Sequence, residues 1–167
     1  TGKVLWEHRW PGNSSTNANV SQPVAVPPEH VFLSKGYSRG AELIQLRPKS
    51  AGRFDTATVW ASGRVMRTKF TNVCIYKEHV YGLSDGIHEC IELKTGRRVW
   101  KKGRHGHGQI LRVGDLLLVL AESGEMLLVE DSPESAGRVL GRFQAIEGMT
   151  WNNIALTGDY LLVRNAE

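Results

Sequence analysis

Cysteine is scarce in this chain: only Cys74 and Cys90 occur in 167 residues. Neither has the further Cys or His ligands at short intervals that a zinc site requires. Proline is limited to six residues and no tract is compositionally biased, which excludes collagen-like and linker-type chains. Long apolar runs are missing too. The longest, Leu116 to Ala121, is six residues, against the ~18 that a spanning helix needs, so no membrane span is expected. Dense charge of one sign is also lacking. The net charge of +4 is scattered, and its tightest basic cluster is the four-residue Lys101-Lys102-Gly103-Arg104. Nucleic-acid binding calls for a denser basic stripe with interleaved aromatics and is not expected. The sequence opens Thr1-Gly2-Lys3 with no initiator Met or signal-like start. The native N-terminus is therefore expected elsewhere, and targeting is not legible.

What is present describes a globular β protein. Hydrophobic residues make up 41% and charged residues 23%, with five Trp, four Tyr and four Phe. Glycine, at 18 residues, is well above its usual share of about 7% and points to many tight turns between short strands.

An internal repeat organises the chain. Thr1-Gly2-Lys3-Val4-Leu5-Trp6-Glu7 recurs as Thr95-Gly96-Arg97-Arg98-Val99-Trp100-Lys101, and Gly114-Asp115-Leu116-Leu117-Leu118-Val119 is echoed by Gly158-Asp159-Tyr160-Leu161-Leu162-Val163. The clearest unit runs from Thr71 to Lys101. A strand over Thr71 to Tyr76, a second over His79 to Leu83, an Asp85-Gly86 turn, a third over His88 to Leu93, a Thr95-Gly96 turn and a fourth ending at Trp100 make one antiparallel meander. The same order fits Val31 to Trp60 and Leu116 to Phe143, with Phe143 where Trp would stand. The aromatic positions Trp6, Trp60, Trp100 and Phe143 stand 54, 40 and 43 residues apart, the last two close to the ~40–45 of a four-stranded propeller blade and the first lengthened by loop insertion.

In these residues the chain resembles the quinoprotein-like (PQQ-like) β-propeller repeats, shared by quinone-dependent alcohol dehydrogenases and by the lipoprotein scaffold of the outer-membrane barrel-assembly machinery. Gly86 through Trp100 and Thr1 through Trp6 carry the resemblance most specifically. It implies an all-β fold: a partial propeller of four-stranded antiparallel blades, with blades at about 20–60, 70–101 and 108–143, an orphan strand at 3–7 and a half blade at 150–164. The whole of 1–167 is then one domain, a segment of a larger ring whose open blade edges could self-associate. The resemblance also implies that Trp6, Trp60, Trp100 and Phe143 pack between neighbouring blades, and that the protein is periplasmic or exported.

The candidate chemistry is sparse. His105 and His107 in Arg104-His105-Gly106-His107-Gly108 would share a face if extended, but two ligands do not make a metal site, and an interblade loop is expected. The dehydrogenases of the resembled family use a quinone, a calcium ion, an Asp base and adjacent cysteines. None of that constellation can be placed here, so no cofactor is expected. Cys74 and Cys90 fall on strands separated by a third, about 9 to 10 Å apart at ~4.8 Å per step. A disulfide tolerates about 7 Å, so buried thiols are expected. Asp55, Asp85, Asp115, Asp131 and Asp159 mostly sit in turns. The channel-facing candidates are Lys69, Asn72, His107, Gln109, Trp151 and Asn152; for Trp151, interblade packing like that of the other Trp residues is the favoured reading. The function expected is a non-catalytic scaffold or binding module for a protein or small ligand. The alternative is a fragment of a quinone-dependent oxidoreductase.

Overall fold

The computed structural model describes residues 2–10, 18–130 and 132–166. Thr1 of the first Thr-Gly pair and Asp131, expected in a turn, lie outside the described residues. Strands β1 (Val24–Val26), β2 (His30–Lys35), β3 (Gly40–Pro48) and β4 (Phe54–Ser62) form one antiparallel sheet in chain order. A second sheet follows, of β5 (Cys74–Tyr76), β6 (His79–Ser84), β7 (Ile87–Glu92) and β8 (Arg98–Arg104). The third holds β9 (Gln109–Val113), β10 (Leu116–Leu120), β11 (Glu125–Glu130) and β12 (Val139–Gln144), and a hairpin of β13 (Ala155–Thr157) and β14 (Tyr160–Leu162) comes last. There is no α-helix among the described residues.

The sheets stack face to face in sequence order. Because side chains alternate along a strand, Val80 and Ile91 point back onto Phe32 and Leu43 of the first sheet. Their neighbours Tyr81 and Cys90 point forward onto Leu117, Val119 and Val129 of the third. A further core of Leu120, Met126 and Ile154 takes up Leu161 and Val163 beside the hairpin. Sheets covered on both faces need apolar residues at every position. This explains the unbroken Leu116 to Ala121 run.

Cross-strand register sets where the large rings fall. Counting from the turn between the first two strands, the third row reads Val24, Phe32, Leu43, Trp60 in the first sheet. In the second it reads Cys74, Tyr81, Cys90, Trp100. In the third it reads Leu111, Leu118, Leu128, Gly141. Phe143 therefore lies two rows further along, opposite Met126, and is 57% exposed. Gly141 holds the position that Trp occupies in the other two sheets, so matching the sheets by their aromatic residues misses the register. Each Trp reaches into the sheet that follows. Trp60 donates its indole N–H to Leu93 O at 2.8 Å and meets Phe32 edge-on with centroids 6.0 Å apart. Trp100 lies over Gly137, where a Cβ would stand 3.3 Å from the ring.

On the outer side of the first sheet, Trp6 and Trp10 cover Val31, Leu33 and Ile44. Arg39 stacks on Trp10 at 4.2 Å. His8 Nε2 lies 3.3 Å from Glu42 Oε1. Residues 3–7, expected as a strand, form none: one backbone bond, Phe54 N–H to Leu5 O at 3.0 Å, ties them to β4. Two other strands start later than the sequence suggests. β5 begins at Cys74 rather than Thr71 and β13 at Ala155 rather than Thr150, because backbone carbonyls in both lead-in segments accept side-chain hydrogen bonds instead of a ladder. Cys74 and Cys90 form no disulfide and stand in one row with Tyr81 between them. Cys90 is buried as expected, but Cys74 is half-buried because β5 is an end strand of its sheet.

Candidate functional site

Each sheet is entered through a short lead-in segment, and these segments converge. Ser21, before β1, shares a 2.7 Å hydrogen bond with Thr68, before β5, and Thr68 in turn donates to Ser34 Oγ at 2.8 Å. Asn72 accepts from the Gln22 backbone N–H at 2.9 Å and donates to Asn153 Oδ1 at 3.5 Å. Gln109, at the start of β9 and 2% exposed, donates from one amide nitrogen to Phe70 O at 2.6 Å and Trp151 O at 2.9 Å. A side chain in the third sheet thus clamps the lead-ins to the second sheet and to the hairpin. Such cross-ties between segments 39 to 81 positions apart require the first strands of successive sheets to gather about a common axis.

Beside this polar seam lies an aromatic group. Phe70 meets His107 edge-on, with centroids 5.8 Å apart, and is tilted against Trp151 at 5.3 Å. Glu122 organises the group: Oε1 accepts the Trp151 indole N–H at 2.6 Å, and Oε2 accepts the His107 backbone N–H at 3.3 Å. Trp151 remains 46% exposed. An open cleft of about 590 Å³ adjoins, lined by His105, Glu122, Glu125 and Met149 among others. Burial holds the His105 imidazole below its ordinary pKa, with Glu125 opposing and Arg142 reinforcing the shift.

The sequence candidates therefore separate. Asn72 and Gln109 join the seam, and His107 and Trp151 join the aromatic group. Asn152 is half-buried next to both. Lys69 turns away, 3.8 Å from Asp85 and 5.8 Å over the Tyr37 ring. The expected common face for His105 and His107 does not form. The intervening Gly106 has φ +70°, and His105 faces His88 at 6.4 Å while His107 faces Phe70. Phe70 and Glu122 are missed by the motif reading. Glu122 had a positional signal, because it precedes the Ser123-Gly124 turn and its N–H bonds His105 O at 2.8 Å, just as Asp85 N–H bonds Arg67 O at 2.9 Å one sheet earlier.

The quinone and calcium of the resembled dehydrogenases find no fit in these residues. Among the described residues no three His, Cys, Asp or Glu side chains come together. The two cysteines are parted by Tyr81.

No model of a known protein family matches the chain, and neither does any curated protein. Solved structures do. BamB from Moraxella catarrhalis is similar at TM-score 0.61 and 16% identity, over 89% of this chain and 42% of that one. The fold is a partial β-propeller. The computationally designed Ika4 protein matches at TM-score 0.66 and 9% identity, over 98% of this chain and 92% of that one. A europium-containing methanol dehydrogenase matches at TM-score 0.51 and 14% identity, over 72% of this chain and 23% of that one. The chain spans less than half the length of BamB, and at these identities the likeness is one of fold. No helix among the described residues is long and apolar enough to cross a membrane.

Proposed function

We propose that this protein is a non-catalytic scaffold or binding module of the quinoprotein-like propeller kind. Its partner, a protein or small ligand, docks on the face where the sheet-to-sheet connections meet the Asp85-Gly86 and Ser123-Gly124 turns. The observation that carries the reading is Trp151. Its ring is 46% exposed, yet its N–H is fixed by Glu122 and its face is braced by Phe70. A large amphipathic ring held in one pose and left open to solvent suits recognition, because little side-chain freedom remains to be lost on binding. In this reading Trp151 and His107 touch the partner, Asn152 and Lys69 flank it, and Asn72 and Gln109 hold the lead-in segments in register. The resemblance adds an exported or periplasmic setting.

The test is addition of the quinone and calcium to the protein, followed by binding and dye-linked alcohol oxidation. Neither is expected. Stoichiometric quinone binding with electron transfer to the dye would overturn the scaffold reading in favour of an oxidoreductase fragment.

A further inference from the structure

Most close ion pairs in this molecule are one to one. Lys49 with Asp55, Lys94 with Glu78 and Arg138 with Glu130 are examples. The tip of the β6–β7 hairpin is different, because two cations share the Asp85 carboxylate and two more hold uncharged oxygens of the same turn. Arg67 Nη1 lies 3.5 Å from Asp85 Oδ2 and Lys69 Nζ lies 3.8 Å from Asp85 Oδ1. Arg104 Nη1 donates to Asp85 O at 3.5 Å, and Lys101 Nζ donates to Ser84 Oγ at 3.0 Å. The backbone builds this arrangement. Arg67 N–H donates to Ser84 Oγ at 3.1 Å and Asp85 N–H to Arg67 O at 2.9 Å, so the connection from the first sheet is laced to the hairpin. The Arg67, Lys69 and Asp85 side chains are each 31 to 38% exposed, half out of water and open to an incoming group. The contacts to the Asp85 carboxylate, at 3.5 and 3.8 Å, are longer than a charge-assisted hydrogen bond of about 2.7–2.9 Å. Asp85 is thus divided between two cations at long range, and Lys101 and Arg104 beside them hold only a hydroxyl and a backbone carbonyl.

We propose that the Ser84–Asp85 turn, with Arg67, Lys69, Lys101 and Arg104, is the docking point for an acidic peptide segment of a partner protein. The inference rests on the binding-face reading above and names the partner's chemistry. The cations stand on two separate segments and reach different atoms around the turn. They do not converge on one point, which fits several spaced carboxylates better than a single compact anion. Asp85 acts as the internal stand-in that a partner carboxylate displaces. The Tyr37 ring beneath Lys69 supplies an apolar wall beside the charges.

The probe is a fluorescent ten-residue glutamate/aspartate peptide, titrated by anisotropy at low salt into the chain. Saturable binding that weakens with added salt is expected. Arg67→Glu/Lys69→Glu should weaken it about tenfold or more. Asp85→Asn, which removes the competing carboxylate, should tighten it several-fold. Lys77→Glu/Lys94→Glu, the same charge change at the opposite end of the same sheet, should cost far less, with circular dichroism confirming that every variant is folded. Equal weakening by the two double variants, no gain from Asp85→Asn, or tighter binding of a single-stranded RNA of equal length would each overturn the assignment. Failure here leaves the quinone and calcium assay as the separate judge of the scaffold reading.

Discussion

Gly96, in the turn between β7 and β8, lies flat against the ring of Trp60 from the preceding sheet: a Cβ on Gly96 would come within 2.7 Å of the indole. The Thr-Gly and Trp elements of the repeat thus serve each other across a sheet interface. The glycine of one sheet leaves room for the tryptophan of the sheet before it, and Leu93 O, three residues upstream, receives the indole N–H.

Gly96→Ala should therefore destabilise the fold by two additive routes. Its φ of +68° disfavours any side chain, and the methyl would displace Trp60. Gly52 has nearly the same φ, +67°, but a Cβ there would meet nothing within 4 Å. Gly52→Ala should cost about 1 kcal/mol and Gly96→Ala about 2–4 kcal/mol. Urea denaturation of the two variants checks this, and equal losses would mean that the indole contact contributes nothing.

His88 makes stability depend on pH. It is 1% exposed, stands edge-on to Trp100 with centroids 4.9 Å apart, and has its pKa lowered to about 3 by burial first and by His105 second. The unfolded chain binds a proton near its ordinary value of about 6.5, whereas the folded chain does not until about 3. Between those values the unfolded state holds more protons, so stability rises with pH through this window and is lost on acidification, by up to a few kcal/mol. The lowered pKa of His105 acts in the same sense. The equivalent row carries Met126 in the third sheet. His88→Met should flatten the slope between about pH 6 and 4 in thermal unfolding, and an unchanged slope would remove His88 as its source.

Glu89 is a buried acid that holds two parts together. It is fully buried, accepts the Met66 backbone N–H at 2.7 Å and pairs with Arg98, which also donates to Arg64 O. Glu42 stands in the same row of the first sheet with Thr58, Arg39 and His8 as partners. In the third sheet the row is filled by Leu127. Glu89→Ala strands a buried N–H and part of a guanidinium, and should cost about 3–5 kcal/mol. Glu89→Leu regains apolar contact and should cost less. Chemical denaturation that ranked the leucine variant below the alanine one would contradict this account.

Much of the architecture was legible because it is written locally. Turn pairs such as Asp85-Gly86 and Thr95-Gly96, alternating runs and recurring indoles each depend on near neighbours in the chain. What escaped was set by contacts across the sheets. Phe143 looked equivalent to Trp100, but the pairing of β11 with β12 puts Gly141 in that row and Phe143 two rows beyond it. His105 and His107 looked like one pair, but a positive φ at Gly106 sends them to different neighbours. Trp151 could be singled out, whereas Glu122, which fixes its pose, lies 29 residues away, and no motif joins them.

The outward row of the hairpin leads to the last prediction. Tyr160 and Leu162 are 73% and 54% exposed and alternate with Leu161, which packs onto the core of the third sheet. Phe143, Leu140 and Met149 add further exposed apolar surface at 57%, 48% and 58%. In the first two sheets the equivalent forward face is covered by the next sheet, as Phe32 and Leu43 are by Val80 and Ile91. Apolar surface of this kind beside a two-stranded hairpin, whose strand edges carry unpaired backbone groups, favours association. Light scattering of the isolated chain should show mass rising with concentration, and Tyr160→Lys/Leu162→Lys should return it to a monomer without lowering the unfolding midpoint by more than about 1 kcal/mol equivalent, as expected for exposed positions. A concentration-independent monomer before any substitution would show that this face has no affinity for its own kind.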